Sequence, residues 1–207
     1  MRSDLALGKL NLYRELKNKE LLIMNFGVYK ETMRVYLKKV PKIGERGTNL
    51  INFPIAFLNA RLFAEELSTL NEKEAGYTFH LELYGAKFDQ TTNRRIDGEK
   101  ELMGKIGLAR AKNSKDDVIN IIYLVTNQDV KYSLPLVPTP YIGIFINGKK
   151  VTDETTLSTI WTKAYAKAFS DILSDLPEIA IPREEVKPTP VNNTSKKDDD
   201  IDIDDII

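Results

Sequence analysis

The chain has 207 residues, 42% of them hydrophobic, and no cysteine. That length holds one full domain with appendages, and the lack of cysteine excludes disulfides, thiolate metal sites and cysteine nucleophiles and suits a reducing compartment. The formal net charge is zero, yet Asp198–Ile207 holds six aspartates and no cation, which leaves residues 1–197 with a surplus of six positive charges. Such a polarised chain suits an anionic partner for its body. No apolar run approaches the roughly 18 residues of a membrane span, and the N-terminal MRSDLALGKLNLYRELKNK has no signal-peptide core. The sequence therefore reads as a cytoplasmic protein without a membrane partner.

Taken in order, KLNLYREL (9–16) is a weak strand pattern, and ELLIMNFGVY (20–29) and ETMRVYLKKV (31–40) are stronger ones. TNLINF (48–53) is a short strand candidate. FPIAFLNARLFAEELSTLN then shows helical spacing of Phe57, Ala60, Phe63, Ala64, Leu67 and Leu70, with Asn52 as a cap and Pro54 in the first turn. Strand patterns return at GYTFHLELYGAKF (76–88), ELMGKIGLARAK (101–112), DVINIIYLVT (117–126) and from Lys131 to Asn147. Pro135, Pro138 and Pro140 place that last stretch at a sheet edge or break it. Asn113–Asp116 has the most hairpin-like turn composition. The second helix, DETTLSTIWTKAYAKAFSDILSD, has a core stripe that includes Trp161, Tyr165 and Phe169. Thr152 or Asp153 can cap it, and Pro177 ends it.

The expected class is α+β, with mainly antiparallel sheets in two successive ββββα-like units. The alternative is an OB-like barrel with added helices. From Glu178 the pattern collapses into proline and polar residues. This divides the chain into a nucleic-acid-binding domain at 1–177, a flexible linker at 178–197 and a disordered acidic tail at 198–207.

Chemistry of the catalytic kind is hard to find. The single histidine, His80, shares a strand face with Glu82 and Tyr84 and has no ligand or nucleophile partner nearby in sequence. Glycine-rich phosphate loops and nucleophile elbows are absent, and the carboxylates near Asp97 and Asp116 lie in turn-like surroundings. No cofactor, metal or catalytic residue is expected, and the chain does not read as an enzyme.

The informative stretch is TMRVYLK. Alternation sends Met33, Val35 and Leu37 to one face and Arg34, Tyr36 and Lys38 to the other. An outward tyrosine between two cations is the composition of a single-strand binder, with a ring for any base and charge for the backbone. Tyr29 and Lys30 are placed in the turn before it. Tyr84 and Lys87 in the 76–88 strand, and Lys105, Arg110 and Lys112 in KIGLARAK, offer similar ingredients. The small residues of KIGLARAK would let a nucleic-acid backbone approach closely. The same composition serves DNA and RNA, because the two are told apart at the 2′-hydroxyl. The rival reading of such strands is plain solubility and β-propensity.

The terminal residues Asp198, Asp199, Asp200, Ile201, Asp202, Ile203, Asp204, Asp205, Ile206 and Ile207 resemble the tails of bacterial and phage single-stranded DNA-binding proteins. The bacterial tail closes on an aromatic residue after proline, whereas this one closes on two isoleucines. The order of strands then helix, taken twice, looks like the Whirly-type fold. The resemblance implies a sequence-tolerant single-stranded DNA-binding protein of phage-type replication and recombination, acting in an infected host cell. Its sheets would bind the strand, its helices would mediate homo-oligomer contacts, and its tail would recruit replication proteins and compete with DNA. The rival function is a viral structural or assembly adaptor that binds no nucleic acid. Deleting Asp198–Ile207 should leave the fold intact and tighten single-strand binding, most at low salt where attraction is least screened. Equal affinity of full-length and truncated protein at low salt, measured by fluorescence anisotropy, would reject self-competition.

Overall fold

In the computed structural model the described residues are 4–6, 10–16, 18–29, 32–41, 46–89, 91–92, 94–139 and 142–175. The expected linker and tail therefore lie outside them. The first sheet contains β1 (Asp4–Ala6), β2 (Leu12–Glu15), β3 (Leu21–Tyr29), β4 (Thr32–Val40) and β5 (Thr48–Ile55), followed by α1 (Phe57–Thr69). A 3-10 turn at Leu70–Glu72 leads into the second sheet of β6 (Thr78–Phe88), β7 (Arg95–Lys112), β8 (Val118–Thr126) and β9 (Lys131–Pro135). A small hairpin of β10 (Phe145–Ile146) and β11 (Lys149–Lys150) precedes α2 (Glu154–Asp175). The class is thus α+β, and every strand pairing is antiparallel.

In the first sheet β1 and β2 share one edge of β3, β1 pairing with its end and β2 with its start, and the order continues through β4 to β5. The second sheet runs in the order β6-β7-β8-β9. The strands therefore divide between separate sheets rather than closing one barrel. The strand blocks also depart from a plain set of four, with five strands before α1 and the added hairpin before α2.

One core joins these parts. Every second residue of β3 and β4 (Leu22, Met24, Phe26, Met33, Val35, Leu37) is buried, as period-two alternation requires when one sheet face is covered. These residues cluster with Phe63 and Leu67 of α1, Ile106 and Leu108 of β7, Ile122 and Leu124 of β8, and Phe169 and Leu173 of α2. The sheets also meet directly. Gly104 lies against the ring of Phe53 and the carbonyl of Val125, leaving no room for a Cβ.

Some local expectations need correction. Pro54 and Asn52 belong to β5, not to the start of the helix. Pro54 is tolerated in the ladder because β5 is a sheet edge, where a missing N–H costs no ladder bond. The helix begins at Phe57 without a side-chain cap. The stretch 131–147 is no single strand: β9 stops at Pro135, itself on an edge, and the chain resumes at the β10–β11 hairpin. Asn147 and Gly148, with φ of 50° and 76°, form the turn of that hairpin, as an Asn-Gly pair readily does. The cap of α2 is Asp153, whose carboxylate accepts from Thr156 N–H at 2.7 Å. Asn113 closes the β7–β8 turn by accepting from the N–H groups of Lys115 and Asp117.

Phe169→Ala should cost about 3–5 kcal/mol of stability, because a fully buried ring is lost between rigid neighbours. Phe145→Ala, on the exposed hairpin, should stay within about 0.5 kcal/mol. Urea unfolding midpoints measure both.

Candidate nucleic-acid interface

The residues of TMRVYLK divide between faces as alternation requires. Met33, Val35 and Leu37 are buried, Arg34 and Tyr36 are half-buried, and Lys38 is exposed. Ladder register defines what surrounds the outward row. Arg34 lies between Gly27 and Pro54, Tyr36 between Asn25 and Asn52, and Lys38 between Ile23 and Asn49. None of these six neighbours is acidic. A bulge between Leu37 and Lys38 shifts the β5 register at the end of the row. Arg34 Nε donates to Asn52 Oδ1 at 2.6 Å, which fixes the guanidinium through a neutral partner, and among the described residues Arg34 forms no ion pair.

Two residues of this face were not read from sequence as part of it, Asn52 reading there as a helix cap. Asn52 orients Arg34 from the neighbouring strand. Tyr13 of β2, 46% exposed, stands opposite Ile23, which stands opposite Lys38, and so adds a ring to the same face. The alternation of Leu10 and Leu12 with Asn11 and Tyr13 carried that signal, but in a segment too short to weigh alone.

The remaining candidates are scattered. Tyr29 is the last residue of β3, paired with Thr32, rather than part of the turn, and Lys30 lies outside the described residues. In the second sheet, Lys105 pairs with Glu82 at 2.8 Å. That hydrogen bond, reinforced by charge, raises the Lys105 pKa, and the bond from Lys105 is the main cause that lowers that of Glu82. Tyr84 is exposed and donates to Glu82 at 2.8 Å. Lys87 pairs with Glu99 at 2.6 Å and Lys112 with Asp116 at 3.4 Å. His80 is exposed on the same face of β6 as Glu82 and Tyr84.

Arg110 and Lys112 cannot share a surface with Lys105, because even and odd positions of one strand point to opposite faces. Arg110 instead joins a buried polar network. Its Nη1 donates to Asn120 Oδ1 at 3.1 Å. Asn120 is fully buried, and its Nδ2 donates to Asn71 Oδ1 at 2.7 Å and to Thr162 Oγ1 at 2.9 Å. Its backbone N–H donates to Ser158 Oγ at 2.8 Å. This network ties α2 to β8 and to the 3-10 turn after α1.

The open approach expected at KIGLARAK is also closed. The space beside Gly107 is filled by the Tyr123 ring, whose hydroxyl donates to the Phe79 carbonyl at 3.3 Å. Lys131 Nζ stands 4.4 Å from the centre of that ring. Among the described residues no cluster of three or more histidine or acidic side chains could hold a metal, and no helix is long and apolar enough to cross a membrane.

No protein-family model matches the chain, and no curated protein matches its sequence.

Replacing Arg110 by Met should lower stability by about 1–3 kcal/mol, since Asn120 Oδ1 would lose a charged donor in a buried site. It should leave single-strand affinity and its salt slope unchanged in the folded fraction. A flatter salt slope with an unaltered unfolding midpoint would return Arg110 to the interface.

Proposed function

We propose that this chain binds single-stranded DNA without sequence preference, through the outer face of the first sheet. The observation that carries this reading is the row Arg34–Tyr36–Lys38, directed outward on a face whose ladder neighbours include no carboxylate. Three properties of the row suit a flexible polyanion with unpaired bases. Tyr36 offers a ring face to any base, since every base has a π-surface. Arg34 and Lys38 lie two residues to either side, where charge meets the backbone of a strand stacked on that ring. The sheet holds all three in fixed geometry, so little ordering cost falls on the protein.

The contrast with the second sheet supports the choice of surface. There Lys87, Lys105 and Lys112 each have a carboxylate partner, which a phosphate would have to displace. The acidic tail supports the assignment to phage-type replication and recombination. A tethered polyanion would compete for the same cationic row, and its apolar end would be free to recruit replication proteins once DNA displaces it. The order of strands and then a helix, occurring twice, supports a Whirly-like arrangement of the body, with the extra first strand and the β10–β11 hairpin as departures.

Fluorescence anisotropy against single- and double-stranded DNA and RNA across a salt series tests the reading. Tyr36→Ala should weaken single-strand binding by about 1–3 kcal/mol. Arg34→Ala or Lys38→Ala should each flatten the salt dependence by roughly 0.7 per lost phosphate contact. Unchanged affinity in a folded triple variant would reject this surface. No binding by the wild-type protein to any oligonucleotide would instead favour an adaptor that docks proteins through its tail.

A further inference from the structure

β7 is 18 residues long, but β8 pairs only with its residues 104–112. Beyond Gly104, β6 and β7 therefore continue as a two-stranded ribbon, with no third strand paired to it among the described residues. Opposed residues in a ladder share a face, so pairing sorts the ribbon's side chains. One face holds Tyr84 with Leu102, Ala86 with Lys100, and Phe88 with Arg95. The other holds Gly85 with Glu101; Lys87 sits at the register shift between Ala86 and Phe88, on that side by the alternation of β6 itself, and forms an ion pair with Glu99.

The faces differ in chemistry as well as in membership. Tyr84 is 53% exposed and Phe88 51%, although large aromatic rings are costly to leave in water. Lys100 and Arg95 are exposed, and among the described residues neither forms an ion pair. The ribbon's cations and carboxylates balance over its length, which a merely solvated ribbon would also show. Such a ribbon would have no reason to gather two rings and two unpaired cations on one face and an ion pair on the other. At the base of the first face stands Glu82, whose charge is already matched by Lys105.

This face is connected to the one proposed above. A groove lined by Pro54, Ala56, Asn59, Glu82, Leu83 and Tyr84 lies between the end of β5, the start of α1 and β6. Pro54 is the ladder partner of Arg34. The groove thus begins beside Arg34, one end of the outward row, and ends at the first ring of the ribbon.

We infer that the Tyr84–Phe88 face of the ribbon is a second contact surface for the same single strand. The strand leaves the first sheet at Arg34, crosses the groove beside Pro54, and stacks bases on Tyr84 and Phe88 while Lys100 and Arg95 meet its phosphates. The inference rests on the proposed function and adds a direction and a length to the site. It also reassigns Lys87, whose place on the opposite face removes it from contact.

The test compares a thymidine oligonucleotide of about 5 nucleotides with one of about 20, spanning the range of single-strand site sizes. The short oligonucleotide should be held by the first sheet alone. Tyr84→Ala/Phe88→Ala should lower affinity for the long one by about a hundredfold, since each of the two lost stacks carries a factor of about ten. It should leave affinity for the short one unchanged. Lys87→Ala should alter neither. All three replaced side chains are exposed, so an unfolding midpoint near that of the wild type is expected and is measured alongside. Equal binding of the long oligonucleotide by wild type and double variant would overturn the second surface while leaving the first intact. A wild-type protein that binds neither oligonucleotide would overturn both readings together.

Discussion

The rings of Phe26, Phe63 and Phe169 meet at the point on which the rest of the molecule depends. Phe26 comes from β3, Phe63 from α1 and Phe169 from α2, and all three are fully buried. Phe26 and Phe169 stack with centroids 4.6 Å apart, and Phe63 meets them at 6.4 and 6.2 Å at inclined angles. Offset and edge contacts of this kind add to the burial energy of each ring. Their positions matter more than their sum. They join the first sheet to the helix that follows it and to the helix that ends the described chain. Covering the inner face of the sheet in this way leaves its outer face free of helix among the described residues.

The same packing decides where charge is available. Most lysines of the second sheet are spent on neighbouring carboxylates, and Arg110 serves Asn120 in the interior. Exposed pairs of that kind add little to stability, yet they remove their cations from competition for a phosphate. On the first sheet the outward row has asparagine, glycine, proline and isoleucine beside it. Neutral neighbours leave its field intact, which is the property a polyanion would sense. A count of basic residues would favour the second sheet, where ion pairs nonetheless occupy Lys87, Lys105 and Lys112.

Much of this fold was legible in the chain. Strand patterns at 20–29, 31–40 and 117–126 matched β3, β4 and β8 closely, because each strand is long and presents a buried face whose alternation is hard to mistake. The α2 stripe was equally plain. The N-terminal boundary of α1 was not, since Pro54, two residues after Asn52, suits a helix start and an edge strand about equally. Only the ladder with β4 resolves that ambiguity. The first third of β7, Arg95–Lys100, was not legible because only Ile96 among its residues is apolar, as a ribbon without a covering layer allows.

By itself the sequence determined the α+β class, the antiparallel character, the cores of the helices and the two-sided nature of TMRVYLK. All of these follow from periodicity, which is a local property of a chain. It also determined the acidic run at the C-terminus, which is composition alone. Tertiary structure decided which outward residues share a surface. Arg110, basic like its neighbours, faces inward because alternation puts it on the side of buried Ile106 and Leu108, and there it meets its ladder partner Asn120 and, from the turn after α1, Asn71. Lys105 met Glu82 through register, and Tyr123 filled the space above Gly107 from the next strand. Tyr13, Phe88, Lys100 and Arg95 gained their meaning the same way, because strand pairing and not sequence distance sets what stands beside a side chain in a sheet.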